Sequence, residues 1–288
     1  MKIHCKHLLL IILSLIVISY SYLYLRWSHL WETADVQSFY KIKSNNRDTL
    51  RVAMIGDSWA EKLHVGIGDT VFENRIESLT RTKTFFESCG KGGEKSRGIY
   101  RLMFQSDIPG TKTLLSSGPD YCIVIAGIND AAANLGTKQY VYHYRLILDF
   151  LLNNSIRPVV VEIPNVDIWH LYYNKPIKDL TSDFLRSTMT RCPMYDYSVY
   201  RQALRRMLTE EHLMDSILYV PMECWNANSP DIDKEIFDDD LIHLNHLGYE
   251  RLCSCIAEQI YSDLKKRTEL NPSNNPMGKD SCQHTEND

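Results

Sequence analysis

The sequence predicts an α/β fold: a parallel sheet covered by helices on both faces and joined by right-handed crossovers. Three observations carry that expectation. Short apolar runs alternate with longer amphipathic segments from residue 51 onward. The run Tyr121–Ala126 (Tyr-Cys-Ile-Val-Ile-Ala) is apolar almost throughout, as in a strand buried on both faces. Lys138–Asn153 sets Tyr140, Val141, Tyr144, Ile147, Leu148, Leu151 and Leu152 along one helical stripe.

The elements follow in order. Arg51–Gly56 reads as a first strand closed by glycine, and Ala60–Leu79 as a helix. Thr82–Glu87 is a second strand, followed by a glycine-rich turn and a helix near Lys95–Gln105. Tyr121–Ala126 is the third strand, Pro158–Ile163 the fourth and Ser216–Val220 the fifth. Tyr249–Lys266 closes the domain as a helix. Between strands four and five, Asn165–Asp196 is long for a crossover and carries Trp169, His170, Tyr172, Tyr173, Tyr195 and Tyr197. These aromatics suit either a rim that stacks on a sugar or an insertion packed on the domain.

Two segments lie outside this alternation. Leu8–Leu25 is an uncharged run of 18 residues with Lys2 and Lys6 before it and Arg26 after it. That length is near the minimum for a helix crossing a bilayer core. The run ends in Tyr20, Tyr22 and Tyr24 where a cleavage site would need small residues, so residues 1–26 are expected to be an uncleaved signal anchor. The alternative is a buried core helix. Positive charge before the span favours an inside N-terminus and a domain outside the cytoplasm, periplasmic or extracellular. Residues 27–48 then form a juxtamembrane linker, 49–267 the folded domain, and 268–288, rich in Asn, Pro and Ser, a flexible tail.

The bulk composition narrows the function. At 44% hydrophobic and 24% charged residues, the chain supports a globular core. A net charge of −4 provides no basic surface, which disfavours nucleic-acid binding. The eight cysteines form no regular framework and show no CxxC zinc spacing. Cys5 precedes the apolar run, unlike a lipoprotein cysteine, and Cys122 reads as core. Cys253 and Cys255 sit two apart on a helix, where their Cβ atoms diverge, so they do not pair with each other. Cys192 and Cys224 are the candidate pair if the domain is exported.

Three strings carry chemistry: Gly56-Asp57-Ser58, Gly127-Ile128-Asn129-Asp130 and Asp240-Leu241-Ile242-His243. Ser58 lies at a strand-to-helix turn, where backbone N–H groups and the helix dipole favour a developing anion. Such a turn string is weak evidence alone, because Gly, Asp and Ser favour turns anyway. Asn129 follows the buried third strand. Its amide fits an oxyanion donor or a helix N-cap, a role Asp130 could also fill. A carboxylate at 240 can hold the Nδ1–H of His243, leaving Nε2 free to act as a base. A metal reading of Asp240, His243 and His246 lacks a third strong ligand.

The order and setting of these strings resemble the SGNH hydrolase superfamily of GDSL-type esterases and lipases. The first, third and fifth blocks match the three strings, with Leu244-Asn245 trailing the last. The second block is matched loosely by Ser88–Ser96, with Gly93 the best-placed glycine, Gly92 one residue away, and Ser88 where the family usually has Asn. The resemblance covers roughly Arg51–Arg267. It implies a flavodoxin-like three-layer α/β/α sandwich on a five-stranded parallel sheet. Ser58 would be nucleophile and His243 base, oriented by Asp240. An oxyanion hole would come from Ser58, Gly93 and Asn129, with no metal or organic cofactor. The Gly-x-Ser-x-Gly elbow of the α/β-hydrolases is absent. The expected activity is hydrolysis of carboxylic esters, foremost O-deacetylation of a glycan by a membrane-anchored enzyme. A glycan O-acyltransferase, a lipase or lysophospholipase, and a non-catalytic glycan-binding module are the alternatives.

Overall fold

The computed structural model describes residues 2–33, 37–42, 48–66, 69–106, 110–167, 175–226 and 234–270. The chain divides into two units, Met1–Tyr40 and Lys41–Asp288. The first holds helix α1 (Lys2–Thr33). Within it, Lys6–Leu25 is 20 residues long with a mean hydropathy of 2.4, sufficient to cross a membrane and equally a property of signal sequences.

The second unit is built on five strands: β1 (Leu50–Gly56), β2 (Thr84–Gly90), β3 (Tyr121–Ile125), β4 (Arg157–Val161) and β5 (Leu218–Val220). All pair in parallel, in the order β2-β1-β3-β4-β5. Helices α2 (Ser58–Gly66), α3 (Asp69–Thr80), α4 (Ser96–Leu102), α5 (Thr111–Ser116), α6 (Ile128–Ala132), α7 (Thr137–Asn153), α8 (Ile177–Thr190), α9 (Tyr197–Glu210) and α10 (His246–Leu270) complete it. Helix α7 packs with α4 and with α9, and α3 packs with α10, so the sheet lies inside a three-layer α/β/α sandwich. Every residue of β3 is buried, as its uninterrupted apolar run requires. The stripe on α7 buries Tyr140, Tyr144, Ile147, Leu148 and Leu151.

The topology decides where function can sit. From β1 the chain crosses to β2 on one side and later returns to β3 on the other, so the strand order reverses between β1 and β3. In open α/β sheets, ligands bind beyond the carboxyl ends of the strands at such a reversal. The register aligns Gly56 with Gly90 on β2 and with Ile125 on β3, so three functional loops leave the sheet at one level. Gly90 allows this close approach: a Cβ there would stand 2.3 Å from the Asp57 carbonyl oxygen and 2.5 Å from the Glu61 nitrogen.

Several expectations change in detail. The helix predicted over 60–79 is two helices, α2 and α3, interrupted where the sequence carries Gly66 and Gly68. Strand β2 runs on to Gly90, because pairing with β1 extends its register past the apolar residues that define it in sequence. Helix α9 follows the aromatic segment; Asp196 accepts the Ser198 N–H at 2.9 Å, and Tyr197, Tyr200, Leu204, Met207 and Leu208 are buried. Trp169, His170, Tyr172 and Tyr173 lie outside the described residues. Tyr195 and Tyr197 are buried in the domain, and the Tyr195 hydroxyl donates to Asp183 at 2.7 Å, so these two pack inward instead of forming a rim.

The cysteine pairing also needs correction. Cys224 bonds to Cys255 on α10, and Cys192 is a free thiol buried beside Thr137. The direction in which Cys255 points is set by α10 packing back across β5, a contact with no signature in the local sequence.

Candidate active site

Ser58 is the first residue of α2. Its turn is stiffened by Asp57, which is buried and accepts the Trp59 N–H at 3.1 Å through Oδ1. The other oxygen of Asp57 accepts the Asn129 side-chain amide at 3.1 Å, tying the loop after β1 to the loop after β3. Burial drives the Asp57 carboxyl up to about 7, partly opposed by those two hydrogen bonds, with the nearby Asp130 charge pushing the same way as burial.

Residues 237–245 form the second half of the site. Phe237 and Leu244 make an antiparallel bridge, and the Asp238 N–H donates to the His243 carbonyl at 2.8 Å. Asp240 Oδ1 accepts the backbone N–H groups of Ile242 (2.9 Å) and His243 (2.8 Å). Its Oδ2 lies 2.5 Å from His243 Nδ1. The turn places Leu241 at a φ of 52°. Asn245 secures the end of the loop, donating to the carbonyls of Glu235 (2.8 Å) and Phe237 (3.0 Å) and accepting the Gly248 N–H at the start of α10. Partial burial raises the Asp240 carboxyl, but the hydrogen bonds from the His243 ring and from the backbone N–H groups of His243 and Ile242 outweigh it. The net result is a carboxyl held below its ordinary value.

The two halves meet where His243 Nε2 lies 3.0 Å from Ser58 Oγ. With Nδ1–H donating to Asp240, Nε2 is left as the acceptor for the serine hydroxyl, the tautomer that general-base chemistry needs.

A third side is formed by the turn after β2. The Lys91 N–H donates to the Gly56 carbonyl at 3.2 Å, and the Gly92 N–H to the Glu61 carboxylate at 2.9 Å. Gly93 adopts a φ of 74°, which glycine holds without strain, and its N–H has no partner among the described residues. Asp130 clamps this turn: it is fully buried and accepts both the Ser96 N–H (2.9 Å) and the Ser96 hydroxyl (2.6 Å). Burial pushes the Asp130 carboxyl up to about 6, against the bonds from Ser96. Neither Asn129 nor Asp130 caps α6, whose N-cap is Gly127 without a side-chain bond. Both Asn129 amide hydrogens are in use, one on Asp57 and the other on the Glu94 carbonyl at 3.0 Å.

The structure thus brings Ser58, His243, Asp240, Asn129 and the Gly92–Gly93 turn to one end of the sheet. His246 instead faces Glu250 at 3.5 Å, and among the described residues no three His, Cys, Asp or Glu side chains converge as metal ligands. Sequence reasoning missed Trp59, Glu61 and Ser96, whose partners are 31 or more residues away and leave no local pattern.

Comparison with known proteins identifies the family. The sequence profile of the GDSL-like Lipase/Acylhydrolase family matches residues 54–251. The chain belongs to that family. As a GDSL-family protein it is a carboxylic ester hydrolase. Among solved structures, a lipase/acylhydrolase from Enterococcus faecalis superposes with a TM-score of 0.52 at 12% identity, over 74% of this chain and 96% of that one. A variant of an acetyl-xylooligosaccharide esterase from Geobacillus gives 0.50 at 14% identity, over 77% and 96%. At these identities the likeness is one of fold. No curated protein matches the chain by sequence.

Proposed function

We propose that this GDSL hydrolase is a serine esterase acting through an acyl-enzyme formed on Ser58, with its domain outside the cytoplasm and acetylated glycan as its substrate. The observation that carries the mechanism is the 3.0 Å contact between Ser58 Oγ and His243 Nε2.

In the first half-reaction His243 Nε2 takes the hydroxyl proton while Ser58 Oγ bonds to the ester carbonyl carbon. The carbonyl oxygen becomes an oxyanion, met by the N–H groups of Ser58 and Gly93, neither of which has an internal partner among the described residues. An amide hydrogen of Asn129 completes the set by turning from one of its present acceptors toward the oxyanion. The intermediate collapses as the carbon–oxygen bond of the leaving alcohol breaks and that oxygen takes the proton from His243. Water, deprotonated by His243, then attacks the acyl carbon; carboxylic acid leaves and Ser58 regains its proton. Asp240 holds Nδ1–H throughout and stabilises the imidazolium formed twice per turnover.

The Cys224–Cys255 disulfide supports the location, since such bonds persist in oxidising compartments. The apolar stretch Lys6–Leu25 supports an anchor that holds the enzyme at a membrane. The choice of glycan-borne acetyl rests on that setting, where polysaccharide esters are met, and on the family's ester chemistry.

A fluorophosphonate probe tests the mechanism: it should label the wild-type protein, and Ser58→Ala should abolish both labelling and hydrolysis of aryl acetates. Unchanged turnover in that variant eliminates the serine mechanism. Acetate release from acetylated polysaccharide, run with and without an added alcohol, separates hydrolysis from acyl transfer. A reporter fused after Asp288 reads the side of the membrane, and cytoplasmic activity overturns the location.

A further inference from the structure

The contact between Ser58 and His243 joins two segments 185 residues apart, and neither supplies a strand to pair with the other. Such a contact needs a brace, because a shift of about 1 Å between reacting groups lowers rate by roughly a hundredfold. The loop carrying His243 is well tied to itself through Asp240, Asp238 and Asn245. Among the described residues its ties to the nucleophile side are few. Lys62 and Asp238 face each other at 3.9 Å, but both are about half exposed, and such pairs hold geometry weakly.

The other tie is Trp59. It directly follows Ser58 and is buried, and its indole N–H donates at 3.0 Å to the carbonyl of Ile242, the residue directly before His243. Trp59 is held at three further points. Its own N–H donates to Asp57, its carbonyl accepts the Tyr249 hydroxyl at 2.9 Å, and its ring meets Trp225 edge-on with centroids 5.8 Å apart. A ring fixed in this way cannot swing without carrying its hydrogen bond with it.

We propose that Trp59 is a positioning residue of the esterase, a buried strut whose indole N–H sets the distance from Ser58 Oγ to His243 Nε2. The proposal rests on Ser58 and His243 being nucleophile and base. Because Asp240 and His243 pair within their own loop, loss of the strut displaces the couple as a unit and leaves its internal hydrogen bond intact.

The test replaces Trp59 with phenylalanine and, separately, with benzothienylalanine, which keeps the indole shape and lacks the N–H. Aryl acetate hydrolysis by the full-length protein is followed across pH, alongside thermal unfolding and the rate of fluorophosphonate labelling. The expected result is a fall in kcat of about 10- to 100-fold in both variants, with KM within about twofold of wild type. Labelling should slow by the same factor. The pH–rate profile should keep its midpoint while its plateau drops, a pattern that general loosening of the fold would not produce.

A kcat within twofold of wild type in the benzothienylalanine variant overturns the strut, as does a loss that appears equally in KM. If Trp59→Phe fails to fold, the isosteric variant decides alone. A Ser58→Ala control separates the two claims. Full activity there sinks the serine mechanism, whereas a dead Ser58→Ala beside wild-type Trp59 variants sinks only the strut.

Discussion

Replacing both Cys224 and Cys255 with serine removes the covalent closure of a 31-residue separation that contains both Asp240 and His243. In the chain-entropy account, closing a loop of that length restricts the unfolded state by about 3.7 kcal/mol at 25 °C. For a domain of this size each kcal/mol is worth about 2–4 °C, so the double variant should melt roughly 7–15 °C lower. Cys224 is exposed and lines a cleft of about 490 Å³ with Glu223, Trp225 and Arg251, so a dithiol reductant can reach the bond and should reproduce the effect in the wild type. Urea unfolding of the oxidised, reduced and double-serine proteins measures it, with mobility on a non-reducing gel reporting the crosslink. Cys192→Ser should leave the crosslink intact, because that thiol faces Thr137 and Thr190. A double-serine protein that unfolds at the wild-type urea concentration, or a crosslink that disappears with Cys192, would refute the reasoning.

Asp240→Asn keeps the shape of the turn but presents the wrong partner to His243 Nδ1, so kcat should fall by about 10⁴-fold with KM little changed; steady-state kinetics check this. Gly93→Ala meets no atom within 4 Å of its new Cβ, yet it strains a φ of 74°. Stability should drop by about 1–2 kcal/mol, while kcat falls about 100-fold or more as the N–H turns away; a folded variant of normal kcat removes Gly93 from the proposed oxyanion hole. For Asp57 the sign follows from its carboxyl being raised from 3.8 to about 7 in the fold. The native state keeps a proton that the unfolded chain loses, so this group's contribution is full below pH 3.8 and is lost as pH rises through about 7. Asp130, raised to about 6, acts with the same sign. Asp57→Asn should therefore flatten, without abolishing, the fall in urea midpoint over that window, and an unaltered slope contradicts the assignment.

How much of the molecule is legible in its sequence depends on how locally each feature is encoded. The sheet is legible because burial on both faces demands continuous apolar runs, and Tyr121–Ile125 and Val159–Val161 meet that demand in sequence. Ser58, Asp240 and His243 are legible because a turn after a strand and an i, i+3 carboxylate–imidazole pair are local arrangements. Helix α9 is a different case. Its cap at Asp196, the last residue of the aromatic insertion, and its stripe of Tyr200, Leu204 and Met207 all stand in the sequence, so it is encoded locally although it is not among the expected elements.

By itself, then, the sequence determined the α/β class, the chemical inventory and an apolar segment long enough for a membrane. Tertiary structure decided what depends on distant partners. It selected Cys255 over Cys192 as the mate of Cys224, because helix α10 packs back across β5. It assigned Gly92's N–H to Glu61 and left Gly93's without a partner among the described residues. It turned Asn129 and Asp130 away from capping α6 and toward the neighbouring loops. It also joined Trp59 to Ile242 across 183 residues. Each of these is settled by which groups a parallel sheet brings to one edge, and a pattern of nearby residues carries no record of that.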